Sequence, residues 1–383
     1  MALNRPSRTI TAILFSTLYI FSIFISAFSI GVAAAYAATV SAVDDGIIDP
    51  QLRREREIGR RSVEQIERQW ELVADPARIA HLTMIMDNLK SHLERDIPYE
   101  IRIIRSDIPN AFCLPGGFIF ITTRMLELLS SDSEIAAIMA HEMIHVDRSH
   151  GMQMAARATR LSLAALAVTV LSGGAMAPTI LAQVGQIAMT NAYSIEFEKE
   201  ADSMGLDLLI AAGYSPTGMI TLIEKFMHQE MKRPIMDFGI GMTHPEAVER
   251  VGAMRERLRS LNIPIERKIP LQLLRTSIKE DEERIRLLID NVEVWGGEKN
   301  RPTLELLEHV KELLDRNFQM ELAPFDLRLE DDGEIHSLLR LKNNTLAKTP
   351  LPEGMPDLAT FRGNLMASLA RAQSQHPIAK FFR

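Results

Sequence analysis

The pentapeptide His141-Glu142-Met143-Ile144-His145 constrains the interpretation of this chain more than any other segment. Two histidines four residues apart lie on one face of a helix, so both imidazoles can reach the same cation. Glu142 can then take a proton from a water molecule that zinc polarises, and later donate it, during attack on a peptide carbonyl. The pentapeptide therefore predicts a metallopeptidase-type zinc site with two histidine ligands and Glu142 as general base.

The flanking residues predict that this pentapeptide lies inside a buried helix. The run Ser131-Asp132-Ser133-Glu134 has the spacing of a capping box, which starts a helix. Gly151 is expected to end it. The residues between these points supply an apolar surface: Ile135, Ala136, Ile138, Met139, Met143, Ile144 and Val146. Two helical histidines that only make ordinary hydrogen bonds are the alternative interpretation.

A third zinc ligand must come from elsewhere in the chain, because a catalytic zinc takes three protein ligands and keeps one open position. In the metzincin pattern the third ligand is a histidine ten residues after the first. That position is Gly151 here, and His150 misses it by one residue. The sequence therefore excludes the metzincin class. Residues 196–202, an acidic run in a strongly helical stretch, offer carboxylates instead.

Spacing within the acidic run favours one pair of carboxylates. Glu198 and Asp202 are four residues apart, so Glu198 can bind zinc while Asp202 accepts the free ring N–H of a ligand histidine, expected to be His141. Glu196 and Glu200 have the same spacing and remain the rival pair. The other interpretation of that rival pair is a solvated acidic face.

Taken together, these segments resemble the zinc endopeptidase family that includes HtpX, BepA and the prenyl-protein proteases. The family pattern is H-E-x-x-H followed by E-x-x-A-D, found here at residues 141–145 and 198–202. Residues 110–120 are similar to the family's N-A-F-x-L-P-G-G-x-I-F segment. The resemblance implies a gluzincin-type endopeptidase with one zinc ion per chain, nearest to the soluble, periplasmic BepA-like branch.

Residues 110–120 also have a direct physical interpretation. Pro115-Gly116-Gly117 predicts a turn, and the β-branched and aromatic run that follows is typical of an edge strand. Such an edge can hold an extended peptide through main-chain hydrogen bonds. The predicted substrate strand comprises Gly117, Phe118, Ile119 and Phe120. An ordinary internal strand is the alternative.

Two further side chains are candidates for a role in the reaction. His244 lies in a Thr-His-Pro segment similar to one in the BepA-like branch, whose histidine lies close to the metal. By this resemblance His244 either stabilises the oxyanion of the tetrahedral intermediate or occupies the open zinc position as a latch. A loop or helix-start histidine is the alternative. Tyr193 is a weaker oxyanion candidate, with a buried structural tyrosine as its alternative.

The N-terminal sequence predicts export from the cytoplasm. Arg5 and Arg8 precede an apolar stretch at residues 10–32, and residues 35–37 read Ala-Tyr-Ala, which suits cleavage by a signal peptidase. We therefore expect residues 1–37 to be a signal peptide and the protein to be periplasmic. Because the apolar stretch is longer than a usual signal core, an uncleaved inner-membrane anchor that leaves the catalytic part facing the periplasm is the alternative.

Charge and cysteine content narrow the function further. The 383 residues carry a formal net charge of −7, and removal of residues 1–37 takes away two positive charges and no negative ones, giving −9. Nucleic acid is therefore not an expected partner. Cys113 is the only cysteine, so no internal disulfide can form and the fold must rest on its apolar core. We expect this thiol to be buried.

The apolar pattern predicts a mainly helical α+β architecture with two domains after the signal. Residues 38–268 are expected to form a zincin-type metallopeptidase domain with a small, edge-stranded sheet. Residues 269–383 are expected to form an accessory domain whose role the sequence does not show. Helices are predicted within that accessory domain at residues 277–291 and 302–317.

Residues 161–189 form a strongly apolar stretch with two interruptions, Ser-Gly-Gly at 172–174 and Ala-Pro at 177–178. Its longest uninterrupted piece is too short to cross a bilayer. The stretch therefore predicts two short helices packed beside the site. A hairpin that contacts the membrane surface is the alternative.

These expectations support two functional hypotheses. The first is a zinc endopeptidase whose substrates, by family resemblance, are misfolded or stalled cell-envelope proteins. The second is a chaperone or assembly factor for outer-membrane polypeptides, in which proteolysis is latent or minor. Both hypotheses predict unfolded polypeptides as partners.

Overall fold

The computed structural model describes most of the chain after the N-terminal segment. The described residues are 49–173, 175–190, 193–232, 247–319, 322, 324–331 and 337–375. Both the predicted signal at residues 1–37 and His244 lie outside these ranges.

Helices dominate the first two thirds of the described chain, which also carries one small sheet. The helices are α1 Pro50–Gln69, α2 Pro76–Lys90, α3 Thr123–Leu128, α4 Asp132–Asp147, α5 His150–Thr159, α6 Leu163–Leu171, α7 Ala177–Thr190, α8 Ile195–Ala211, α9 Thr217–Lys232, α10 Ala247–Ser260 and α11 Lys268–Leu271. The strands are β1 Glu100–Ile104, β2 Ala111–Leu114 and β3 Phe118–Thr122. The prediction of a mainly helical α+β fold is confirmed.

The small sheet has the order β1-β3-β2, with β3 parallel to β1 and antiparallel to β2. Every residue of β3 is buried. The prediction of an edge-positioned substrate strand is therefore wrong for the residues to which it was assigned, Gly117, Phe118, Ile119 and Phe120. Because β3 already has a partner strand on each side, its main chain cannot pair with a further peptide. The edge strand of this hairpin is β2.

The turn between β2 and β3 depends on glycine. Gly116 and Gly117 have φ angles of 80° and 99°, in the left-handed region. A Cβ atom at Gly116 would lie 2.3 Å from the Cα of Arg56 on α1. The buried Arg56 guanidinium donates to Pro98 O and Gly116 O and pairs with Glu100. The turn is thus fastened to α1 by close contact and by charge-assisted hydrogen bonds.

The two faces of the sheet pack into different parts of the core. One face joins the cluster around α4 and supplies Ile101, Ile103, Ala111, Cys113, Ile119 and Ile121. The opposite face packs against α1 and α7 and supplies Phe112, Leu114, Phe118 and Phe120. Since side chains alternate along a strand, β2 directs Cys113 toward α4, the helix that carries the His-Glu-Met-Ile-His pentapeptide.

Helix α4 starts where the sequence predicts and ends earlier. Ser131 Oγ accepts a hydrogen bond from Glu134 N, as in a capping box, and Glu134 Oε2 accepts one from Ser130 N, the residue before the cap. The helix ends at Asp147, because Ser149 has a φ of 55° and breaks the helical path. The expected stop at Gly151 is therefore wrong by a few residues.

The apolar residues 161–189 form α6 and α7, two helices as predicted. Within the described ranges, no single helix combines the length and the hydropathy of a membrane span. The pair α5 and α6 meets both requirements jointly, with a bend of 88° between its members.

The last third of the described chain consists of two βββα units. The first contains β4 Thr276–Glu280, β5 Arg284–Ile289, β6 Val292–Glu298 and α12 Arg301–Phe318. The second contains β7 Leu327–Asp331, β8 Ser337–Leu341, β9 Asn344–Lys348 and α13 Leu358–Gln375. Each has an antiparallel sheet with one register shift against its last strand. The units share one core, where Trp295 stacks on Phe361 with centroids 4.2 Å apart.

The prediction of a helix at residues 277–291 is wrong, because most of β4 and all of β5 lie in this range. Its many charged residues suit a helix, but its buried residues follow the two-residue period of a strand: Ile285, Leu287 and Ile289. Asp290 and Asn291, both with positive φ, then turn the chain into β6. The helix predicted at residues 302–317 is present as α12.

A buried ion pair at the start of α4 provides a test of what holds this helix in place. Lys225 Nζ lies 2.5 Å from Glu134 Oε2 and also donates to Leu128 O and Ser130 Oγ. Glu134 is 0% exposed. Lys225→Met would leave a buried carboxylate without its cation, so we expect the free energy of unfolding, measured in urea, to fall by about 3–5 kcal/mol.

Lys199→Met is the matched control for Lys225→Met. Lys199 also pairs with a glutamate, Glu249, but both side chains are at least half exposed. Exposed pairs contribute about 0–1 kcal/mol. Equal, small losses in the two variants would contradict the role given to the buried pair.

Candidate metal centre

The three predicted metal ligands converge on one point. Ligand atoms of His141, His145 and Glu198 all lie within 4.8 Å of one another. The two Nε2 atoms are 3.1 Å apart. The Glu198 carboxylate oxygens lie 3.5 Å from His141 Nε2 and 3.4 Å from His145 Nε2. Because α4 presents both histidines on one face and α8 packs across it, residues far apart in sequence form a single buried cluster.

The donor set and its spacing fit a tetrahedral zinc ion. Zinc bonds to nitrogen and oxygen of about 2.0–2.1 Å imply ligand–ligand edges of about 3.3 Å in a tetrahedron. The separations between 3.1 and 3.5 Å agree with that value. Glu142 Oε2, beside these ligands, is buried and has no hydrogen-bond partner among the described residues. A site that also binds water or substrate accounts for such an atom.

Asp202 contacts the imidazole of one predicted ligand, His141, and is itself held by an arginine. Its Oδ1 lies 3.1 Å from His141 Nδ1, which leaves His141 Nε2 for the metal. Arg250 of α10 donates two hydrogen bonds of 2.6 Å to the Asp202 carboxylate. Arg250 Nη1 also lies 3.4 Å from Glu198 Oε2. Sequence reasoning missed Arg250, because one arginine in a charged helix has no distinguishing spacing.

The rival acidic pair does not reach the ligand positions. Glu196 points to solvent. Glu200 is partly exposed and accepts a hydrogen bond from Arg148 Nε at 2.8 Å. Glu198 occupies the buried side of α8 between these two residues.

The pKa values of the two histidines in the cluster depend on their burial and on the neighbouring carboxylates. Burial lowers the pKa of His141, but hydrogen bonds and charge from Asp202 and Glu198 outweigh burial and raise it to about 10. Burial lowers the pKa of His145 to about 3. One imidazole therefore carries the positive charge that these carboxylates demand, and a divalent cation meets the same demand when both imidazoles are neutral ligands.

Glu142 faces β2 across the cluster. Burial raises its pKa to about 7, although the charge of His141 and hydrogen bonds from Cys113 oppose this shift. A carboxylate in this range is suited to exchange protons at neutral pH. The Cys113 thiol is buried as expected, and burial raises its pKa well above the usual value, so it is not a reactive thiolate.

Tyr193 packs against the second predicted ligand histidine. Its ring stacks on that of His145, with centroids 3.9 Å apart and an angle of 16° between the planes. The hydroxyl group lies 3.8 Å from Cys113 Sγ, and the residue is 9% exposed. This packing favours the structural interpretation of Tyr193 over an oxyanion role. The other oxyanion candidate, His244, lies outside the described residues.

Comparison with known proteins identifies the fold that carries this site. Residues 75–258 match the model of peptidase family M48. They form a peptidase family M48 domain. The metallopeptidase family predicted from the two sequence patterns is thereby confirmed, and all three predicted ligand positions fall within the M48 domain.

Several curated relatives are similar to this chain. The beta-barrel assembly-enhancing protease of Escherichia coli (strain K12) is 27% identical over 291 residues, covering 71% of this chain and 59% of the relative. Metalloprotease LoiP of the same organism is 29% identical over 180 residues, covering 46% of this chain and 69% of LoiP. The mitochondrial metalloendopeptidase OMA1 of Arabidopsis thaliana is 36% identical over 135 residues, covering 35% of this chain and 27% of OMA1. The chain thus spans less than two thirds of the first relative's length.

Removal of any one of the three ligands is expected to abolish stoichiometric zinc binding. The variants are His141→Ala, His145→Ala and Glu198→Ala, each of which removes one of three donors. Zinc content is measured by mass spectrometry after dialysis against a weak chelator. Glu196→Ala, on the exposed side of α8, should keep full zinc content. Retention of zinc by Glu198→Ala together with its loss from Glu196→Ala would show that the ligand assignment is wrong.

Loss of the arginine beside Asp202 is expected to destabilise the metal-free protein. Arg250→Met removes the arginine charge and two hydrogen bonds from the Asp202 carboxylate, which is 5% exposed, so the free energy of unfolding should fall by about 3–5 kcal/mol. Arg250→Lys should not restore it, because an ammonium cannot make the paired hydrogen bonds. Arg257→Met, on the same helix in an exposed pair with Asp207, is the control. Equal urea midpoints for the Arg250→Met and Arg257→Met variants would refute this role.

Proposed function

We propose that this protein is a zinc-dependent endopeptidase that hydrolyses misfolded or stalled polypeptides of the cell envelope. The observation that carries this proposal is the buried convergence of His141, His145 and Glu198, with Glu142 beside them. The M48 domain supports peptide-bond hydrolysis, and two relatives have the words metalloprotease or metalloendopeptidase in their names. The name of the beta-barrel assembly-enhancing protease supports the envelope as the source of substrates.

The residues of the site divide the reaction between them. Zinc, when bound, supplies a Lewis acid that polarises the scissile carbonyl and acidifies a water molecule. Glu142 accepts the proton of the attacking water and delivers it to the nitrogen of the leaving amine. Asp202 keeps His141 in its ligand orientation, and Arg250 keeps Asp202 ionised and in place. By resemblance, His244 would stabilise the oxyanion or act as a latch.

The substrate strand is best assigned to β2 instead of β3. In the described sheet β2 has a single strand neighbour, and its residue Cys113 contacts the Glu142 carboxylate. A peptide paired with the edge of β2 would run past Glu142, with main-chain hydrogen bonds that do not depend on substrate sequence. Such pairing suits an enzyme that acts on unfolded polypeptides.

The location and the accessory domain complete the proposal. The basic residues and apolar stretch in residues 1–37 support export to the periplasm, with an inner-membrane anchor as the alternative. We place the domain boundary near residue 268. Two large core clusters, one from Leu52 to Leu258 and one from Leu271 to Ala372, have no member in common among the described residues, which supports this boundary.

The competing function is that of an assembly factor for outer-membrane polypeptides with little proteolysis. The words "assembly-enhancing" in the name of a relative favour it. Glu142→Gln separates the two functions in cells that lack the wild-type protein. Rescue of envelope assembly by this variant would assign the main role to binding. Failure to rescue, with normal amounts of the variant present, supports the endopeptidase.

In purified protein, Glu142→Gln is expected to keep its zinc and to lose about 100-fold or more in the rate of casein degradation. The amide retains the shape of the side chain but cannot accept the proton, and such catalysis contributes about 10²–10⁴-fold. Zinc content and degradation are measured on the same preparations, with Glu196→Gln as the control. Normal activity of the Glu142→Gln variant would contradict the role of Glu142 as general base. Loss of zinc together with activity would indicate that Glu142 is a metal ligand.

A further inference from the structure

A third histidine contacts the metal centre from outside the ligand set. His150, the first residue of α5, is buried, and its Nδ1 lies 2.9 Å from His145 Nδ1. On the other side of its ring, Nε2 lies 3.4 Å from Glu200 Oε2. The second oxygen of Glu200 accepts a hydrogen bond from Arg148. The four side chains thus lie in a row from solvent to a predicted zinc ligand, and the contact between His150 Nε2 and Glu200 Oε2 lacks hydrogen-bond geometry.

We propose that His150 and Glu200 act as positioning residues that hold His145 in its metal-binding orientation. This inference rests on the proposed zinc site. A zinc ligand must present an unprotonated Nε2, so the hydrogen of the neutral His145 ring is on Nδ1. The acceptor for it at 2.9 Å is His150 Nδ1. His150 then carries its own hydrogen on Nε2, the nitrogen that faces the Glu200 carboxylate.

The path of the chain after α4 makes this contact possible. In a continuous helix, a residue five positions after His145 would point about 140° away from it. Ser149, with its left-handed backbone, instead folds His150 back onto the ligand ring. Ser149 Oγ donates to Glu55 at 2.9 Å and accepts from Arg95 at 3.0 Å, so the break in the helix is fixed by side chains from other elements.

Aromatic packing further restricts both imidazoles. The His150 ring stacks on Phe197, with centroids 4.1 Å apart and an interplanar angle of 11°. The guanidinium of Arg157 lies over the Phe197 ring, 4.6 Å from its centroid. Tyr193 stacks on His145. Each ring in the hydrogen-bonded pair therefore has an aromatic neighbour that opposes its rotation.

The consequence is that both ligand histidines have an outer partner: Asp202 for His141, and the His150–Glu200 pair for His145. Outer partners of ligand histidines typically raise metal affinity or activity by about 10–100-fold. Glu200, half of the rival acidic pair in the sequence, thus acquires a role without being a ligand.

A near-isosteric pair of substitutions, His150→Leu and His150→Asn, tests the hydrogen bond. The amide oxygen of asparagine can stand close to the position of Nδ1 and accept from His145, whereas leucine cannot. Zinc affinity of the full chain is measured by competition with a chromophoric chelator, and the ligand field is read from the visible spectrum of the cobalt(II)-substituted protein. We expect His150→Leu to bind zinc about 10–100-fold more weakly with an altered spectrum. His150→Asn should remain closer to wild type in both measurements.

Thermal unfolding of the metal-free variants checks that the fold is retained. If His150→Leu does not fold, the zinc affinity of Glu200→Gln tests the inference instead, with Glu196→Gln on the same helix as its control. A several-fold loss of zinc affinity for Glu200→Gln, with no loss for Glu196→Gln, supports the positioning role. The inference is overturned if wild type binds zinc tightly and His150→Leu or Glu200→Gln binds equally well, or if leucine and asparagine weaken binding to the same extent. A wild-type protein that binds no zinc would overturn the proposed function itself.

Discussion

Two carboxylates buried side by side on α8 impose the main constraint on this molecule. Glu198 and Asp202 are almost inaccessible to solvent, and buried carboxylates are costly unless cations and hydrogen bonds compensate them. Arg250 supplies one positive charge from α10, and His141 supplies another in the metal-free state. As a neutral metal ligand His141 would no longer supply its charge, and a zinc ion held by the three convergent donor atoms would replace it.

The fold serves this arrangement by burying α4 almost completely. The small sheet covers one side of α4, α8 and α9 cover others, and an ion pair with Lys225 holds its first turn. Burial removes water that would weaken the electrostatic interactions of the site. The same packing brings Cys113 of β2 next to Glu142, the proposed general base.

The sequence predicted the parts of the site that depend on local spacing. His141, His145, Glu198 and Asp202 are on helices, where a separation of four residues fixes a shared face. Long-range contacts escaped prediction. The central position of β3 results from pairing with β1, and no local pattern distinguishes it from an edge position.

Other features escaped prediction because single residues decide them. His150 reaches His145 only because the backbone of Ser149 breaks the helix, and Arg250 acts through contacts across some fifty residues of chain. In the accessory domain, β4 and β5 contain many charged residues. This composition suits a helix and outweighs the two-residue alternation of buried side chains that indicates a strand.

The zinc K-edge X-ray absorption spectrum of the zinc-loaded full chain would test the proposed zinc site most directly. Binding by His141, His145 and Glu198 predicts that the atoms bonded to zinc are nitrogen and oxygen only, at about 2.0–2.1 Å, with the multiple-scattering signature of two imidazoles. A sulfur ligand at about 2.3 Å, which could come from Cys113 or a methionine, would contradict it. So would a spectrum with fewer than two imidazoles.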